Sequence, residues 1–209
     1  MFSKIILDGK DKTAEIREFV ETIGLNRLSL GRYSTYFAVQ LYCQSVLAGT
    51  LPLGRVMAEV EALENSEKES ATKPPVRFNR LPLKGLWHKH HPVIGISSMA
   101  TNLRNALNRY GLPKLEQKVK EVEASGEERY FEVSDIAEIV QEVVQENYER
   151  RYDAGEMTGE WIVYAIYEGQ NYYLCLGTHK SGDDALRQQI DLTCVPEFPF
   201  LREILAPVA

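Results

Sequence analysis

The sequence predicts an α+β fold, with a helical N-terminal part beside a small antiparallel sheet covered by helices. Three observations lead there. Residues 5–63 carry apolar side chains at helical spacing. Residues 161–167 and 172–178 are rich in aromatic and β-branched side chains and are separated by Glu168-Gly169-Gln170-Asn171, which spells a hairpin over 161–178. Both faces of both runs are apolar, so the sheet needs cover on both sides.

Along the chain, Thr13 is placed to cap a helix bearing Ile16, Phe19, Val20 and Ile23, ended by Gly24. A second helix starts near Ser34 or Thr35 and runs to about Ala48; apolar residues wrap most of its circumference. A third begins at Pro52, with Thr50 as cap, and carries Val56, Met57, Val60 and Leu63. The polar stretch 65–75 ends in Pro-Pro and divides a helical part, 1–65, from an α+β part, 76–209. Residues 76–92 lack a period and are expected as a loop or short strands. Ser98 then opens a helix with Met99, Leu103, Ala106, Leu107 and Tyr110 on one side, stopped by Gly111 and Pro113. A charged helix follows over 114–124. Residues 134–151 give the clearest helical period, with Ile136, Ile139, Val140, Val143 and Val144; Ser134 or Asp135 is its cap, and it is the natural cover for one face of the sheet. After the hairpin, Asp183 is expected to cap a last helix holding Leu186 and Ile190.

The 209 residues are 44% hydrophobic and 26% charged, enough to bury a core without staples. Cys43, Cys175 and Cys194 are an odd number, lack a CxxC spacing and sit among apolar neighbours, which predicts reduced core residues. The apolar run at the N-terminus is too short for a signal peptide, and no run approaches the roughly 18–20 apolar residues of a membrane span. A cytoplasmic protein without membrane attachment is the expectation.

Charge is uneven. The net charge is −6, yet residues 70–115 contain no Asp or Glu and carry Lys73, Arg77, Arg80, Lys84, Lys89, Arg104, Arg109 and Lys114. RNA or another phosphate-bearing polyanion suits such a stretch, while the acidic remainder argues against indiscriminate coating of nucleic acid. Three of the four histidines, His88, His90 and His91, sit inside it beside Trp87; the fourth is His179. If 87–91 is extended, His88 and His90 point to one face and His91 to the other. Two histidines so spaced can share a metal, but Lys89 between them and the missing acids oppose a cation, so no metal or cofactor is expected.

Metal-free cleavage of RNA needs a base, an acid and cations on the phosphate. Histidine, with an ordinary pKa near 6.5, serves as either acid or base. His90 or His91 with His179 is the candidate acid–base pair. Lys84, Lys89 or Arg187 would stabilise the transition-state charge. Thr178, Lys180 and Ser181 flank His179 between a strand end and a helix start, where a phosphate is favoured. The alternative is that these are ordinary polar loops. There is no GxGxxG, Walker, HExxH or GxSxG motif, which lowers nucleotide-cofactor enzymes and common hydrolases.

Two blocks carry a resemblance: Pro82-Leu83-Lys84-Gly85-Leu86-Trp87-His88-Lys89-His90, and Thr158-Gly159-Glu160-Trp161-Ile162-Val163-Tyr164-Ala165 running on to residues 172–179. They resemble a family of uncharacterised bacterial proteins. The layout of the second half is also loosely similar to the barnase, colicin and EndoU-like ribonuclease toxins. That similarity implies a metal-independent endoribonuclease, a bacterial toxin or phage-defence effector that an antitoxin would restrain. The alternative is a non-catalytic module that binds nucleic acid or protein through the basic stretch.

Overall fold

The computed structural model describes residues 4–93, 95–126, 129, 130, 132–178 and 181–205. The chain opens with a short hairpin, β1 (Ile6–Leu7) and β2 (Lys10–Asp11), instead of helix. Its turn is Asp8-Gly9, both residues in the left-handed region that such a turn requires. Helices α1 (Thr13–Thr22), α2 (Leu25–Ser29), α3 (Thr35–Tyr42) and α4 (Leu53–Glu64) follow, α3 running on as a π-helical turn over Cys43–Leu47. Ser34 caps α3 as expected, its Oγ accepting from the Phe37 N–H at 2.9 Å. Thr13 is the first residue inside α1 and not its cap; its hydroxyl accepts from the Ile5 N–H. The residue preceding α4 is Pro52, not Thr50.

The main sheet is antiparallel throughout, in the order β3 (Val76–Arg77), β4 (Trp87–His91), β5 (Glu160–Tyr167), β6 (Gln170–Gly177). The β5–β6 turn is only Glu168-Gly169, tighter than the four-residue separation the sequence suggested, with both residues at positive φ. Between β4 and β5 the chain leaves the sheet and makes α5 (Ile96–Tyr110), α6 (Pro113–Ser125), α7 (Val133–Val140), a π-helical turn over Gln141–Glu146, and α8 (Asn147–Asp153). Helices α9 (Asp183–Thr193) and α10 (Leu201–Ile204) end the described chain.

Cross-strand partners share a face, so the register assigns every side chain of β4 and β5. Trp87, Lys89 and His91 lie opposite Tyr164, Ile162 and Glu160; His88 and His90 lie opposite Val163 and Trp161. The first face packs on the N-terminal helices, where Ile162, Tyr164 and Tyr173 join Ile16, Leu25, Phe37, Leu41, Val56 and Val60 in one core. The second packs on Leu83, Leu86, Leu186, Ile190 and Leu201 through Val163, Ala165 and Leu174. Leu174 is the extra residue of a bulge, since Val163 pairs with Cys175 and Tyr164 with Tyr173. The outer edge of β6 is closed by the chain before α3: the Ser34 N–H donates to the Tyr173 carbonyl, and the Tyr173 N–H to that of Arg32, each at 2.8 Å.

The sheet is thus covered by helices on both faces, but not by the helix expected. The second half of the segment from Val133 to Asp153 packs on α5 within the excursion, and its first half is tied to Lys118 and Arg129 through Asp135. Its cap also differs: Glu132 stands at the cap position in a capping box with Asp135, and its N–H donates to the Asp135 carboxylate at 2.9 Å. Gly182, not Asp183, precedes α9. All three cysteines are free thiols, Cys175 and Cys194 buried, and burial pushes the Cys194 thiol up to about 11.

Candidate functional site

The histidine-rich stretch is a strand, and its side chains are committed to the interior. His90 and His91 are both buried. The expectation that they occupy exposed polar positions fails, because β4 has β5 on one side and helix-covered faces above and below. The His90 ring Nδ1 lies 2.9 Å from the Gly159 carbonyl oxygen. His88 packs its ring on Phe78 and Trp161, with centroids 4.6 and 5.2 Å away. His91 has no exposed surface, and neither ring nitrogen makes a hydrogen bond of good geometry. Burial holds its pKa down at about 4, helped by His90 and opposed by the Pro92 backbone.

Gly159 sets this corner. A Cβ there would stand 1.8 Å from the His91 carbonyl oxygen, so only glycine lets β5 start this close to the end of β4.

Lys89 is buried too, and its ammonium is taken up by protein groups. Its Nζ donates to Ser70 Oγ at 2.7 Å, to the Lys73 carbonyl at 2.8 Å and to the Thr72 carbonyl at 3.2 Å, and lies 3.3 Å from a Glu59 carboxylate oxygen. Ser70 Oγ donates to the same Glu59 oxygen at 2.7 Å, and Thr72 Oγ1 donates to the His90 carbonyl at 2.9 Å. Burial lowers the Lys89 pKa against the raising effect of Glu59. This network covers residues 70–72 inside the stretch expected as an exposed linker, Thr72 being almost wholly buried, while 73–75 stay exposed. Sequence reasoning missed Glu59, although its place between Val56 and Val60 on the apolar stripe of α4 was a signal.

The other predicted site residues scatter. Arg187 is buried, its Nη1 donating to the Pro82 carbonyl at 2.7 Å and its Nε to Asp191 at 2.9 Å. Thr178 and Ser181 turn on each other: the Thr178 N–H donates to Ser181 Oγ at 2.9 Å, and the hydroxyls are 3.0 Å apart. His179 and Lys180 lie outside the described residues. Gly177 pairs with Trp161, which pairs with His90, so the strand carrying Thr178 runs two strand spacings from β4, about 10 Å away. Among the described residues, no three His, Cys, Asp or Glu side chains group so as to hold a metal.

Solvent-facing charge is concentrated elsewhere. Lys73, Arg77, Arg80 and Lys84 are exposed, and none has a carboxylate within 4 Å among the described residues. Arg77 is on β3, the edge of the sheet, opposite Trp87. Arg80 and Lys84 lie in the connection to β4, which is tied by the Phe78 N–H on the Leu86 carbonyl and the Gly85 N–H on that of Phe78. Gly85 is at φ 107°, and a Cβ there would come within 2.6 Å of the Ile204 carbonyl oxygen, so α10 clamps the base of this hairpin. Arg104 is exposed on α5, away from the hairpin in sequence. Arg109 and Lys114 are neutralised locally, by Glu156 at 2.7 Å and by Glu146.

Comparison with protein-family models, with curated proteins and with solved structures finds no match to this chain. No helix of the described residues is long and apolar enough to cross a membrane.

Proposed function

We propose that this protein is a nucleic-acid-binding module that holds RNA along the β3–β4 hairpin and does not cleave it. The observation that carries this reading is the group Arg77, Arg80 and Lys84 on a clamped hairpin at the sheet edge, with Lys73 just before it, all exposed and, among the described residues, lacking carboxylate partners within 4 Å. Cations already paired within a protein gain little from a phosphate; unneutralised ones release counterions from the nucleic acid when they bind. The burial of His90 and His91 and the full engagement of Lys89 favour structural roles for the residues an endoribonuclease would need at its surface.

The test is a salt titration of binding to a fluorescein-labelled single-stranded RNA, followed by anisotropy, with wild type and the triple variant R77E/R80E/K84E. The variant should bind more weakly, and its slope of log affinity against log salt should be shallower by about 2, near 0.7 for each cation lost. Equal slopes and affinities would remove the proposal. Cleavage of that RNA by wild type but not by His90→Ala would favour the endoribonuclease reading instead.

A further inference from the structure

The helical segment from α7 to α8 is turned inside out. Its inward row, Asp135, Ile139, Val143, Asn147 and Arg151, is largely polar and satisfied within the excursion. Asp135 takes Lys118 and Arg129; Asn147 Nδ2 donates to the Gly111 carbonyl; Arg151 Nε donates to Asn102 Oδ1. The neighbouring row is Ile136, Val140, Val144, Tyr148 and Tyr152, and it faces solvent. Ile136, Val140, Val144 and Tyr152 are 55, 53, 44 and 55% exposed, and Val133 on the same side is 85% exposed.

The π-helical turn keeps that row straight. In an α-helix, residues four apart drift by about 40° per step, so five such residues would wind around the helix. A π-turn takes more residues per turn and swings the row back. It occupies Gln141–Glu146, the middle of the row. An apolar face held in line over this length marks an interaction surface.

We propose that this face pairs with the same face of a second copy of the chain, antiparallel, with the two-fold axis at the level of Val143. Its two ends are complementary. At one end Val133 projects into solvent; at the other, Tyr148 and Tyr152 line a hollow of about 210 Å³ with Pro92 and Met157. Antiparallel pairing about Val143 brings the Val133 of each copy to the Tyr152 end of the other and sets each Val140 between Val144 and Tyr148. Charge fits the same register. The solvent border of the row is Ala137, Gln141, Gln145, Glu149 and Asp153. The pairing puts Gln141 opposite Gln145, Glu149 opposite Ala137 and Asp153 opposite Val133, so no carboxylate meets another. This face offers fewer residues than the roughly 20–30 a side of a standard interface, which makes the dimer a weak one.

Sedimentation equilibrium across the micromolar range tests it. Wild type should show a concentration-dependent dimer, and V140K/V144K should lose it while keeping its circular dichroism and, at concentrations low enough for both to be monomeric, its melting temperature, since both side chains are half exposed. A wild type that stays monomeric throughout, or a V140K/V144K that still dimerises, overturns the proposal. Single-cysteine variants test the register. An equimolar mixture of V140C and Y148C proteins should form disulfide dimers faster than either alone; equal rates in all three would exclude antiparallel pairing about Val143.

Discussion

The β5–β6 hairpin and the helix from Val133 to Asp153 carry the two clearest patterns in the sequence, and the fold treats them in opposite ways. Ile162, Val163, Tyr164 and Ala165 are all buried, two on each face of the sheet, because helices α1 to α4 lie on one side and α9, α10 and the β3–β4 connection on the other. The side of the helix that is buried holds Asp135, Glu142, Asn147 and Arg151. Its apolar row is left outside. A period says that a helix is two-faced; it does not say which face the rest of the chain will meet. A strand apolar on both faces carries more information, since it is stable only between two layers.

The contrast breaks first in the sheet. Ile162 has no exposed surface and packs against Phe37, Tyr164 and Tyr173 in the larger core. Ile162→Ala should therefore cost about 2–5 kcal/mol of unfolding free energy, read from urea denaturation. A loss below about 1 kcal/mol, the scale of a surface substitution, would mean that the N-terminal helices do not seal this face.

How much of this was legible follows from where each constraint comes from. Helices α1, α3, α4, α5 and α6 and the hairpin declare themselves through local spacing. Strand β4 does not, because Trp87-His88-Lys89-His90-His91 has no apolar alternation and its burial comes from residues far along the chain. Lys89 is held by Glu59 and Ser70, and His90 touches Gly159 across the whole α5–α8 excursion. A cluster of His and Lys in sequence reads as a surface; only the partners 19 to 69 residues away reveal a core strand. The basic stretch was half legible. Its charge was visible, but which cations are spent internally was not: Lys89, Arg109 and Lys114 are, while Arg77, Arg80 and Lys84 have no carboxylate within 4 Å among the described residues.

The second way to sharpen the comparison is pH. His91 is fully buried on the sheet face that meets the N-terminal helices, and its pKa is held at about 4 against an ordinary value of 6.5. The unfolded chain therefore takes up a proton between pH 6.5 and 4 that the folded chain refuses. Stability from this group is complete above 6.5, falls as the pH drops through that window, and levels off below 4. The full change is about 3 kcal/mol. Urea midpoints measured from pH 7 to pH 4 should show this decline in wild type and a shallower one in His91→Leu. Because each protein is compared with itself across pH, the packing cost of the substitution cancels. Parallel profiles would show that the folded chain protonates His91 as readily as the unfolded chain does.

The smallest effect lies at the other pole. Val144 sits near the middle of the outward row, almost half exposed, and belongs to neither core cluster of the described residues. At protein concentrations low enough to keep the chain monomeric, Val144→Ala should change the unfolding free energy by no more than about 0.5 kcal/mol. Alanine's higher helix propensity offsets part of what the trimmed methyl groups contribute. The same measurement at high concentration is the informative half. If the outward row is an interface between copies, the wild-type midpoint rises with concentration, because association stabilises only the folded chain, and the variant's rises less. A loss of 2 kcal/mol or more at low concentration would place Val144 in a packed interior and erase the difference between hairpin and helix from which these expectations start.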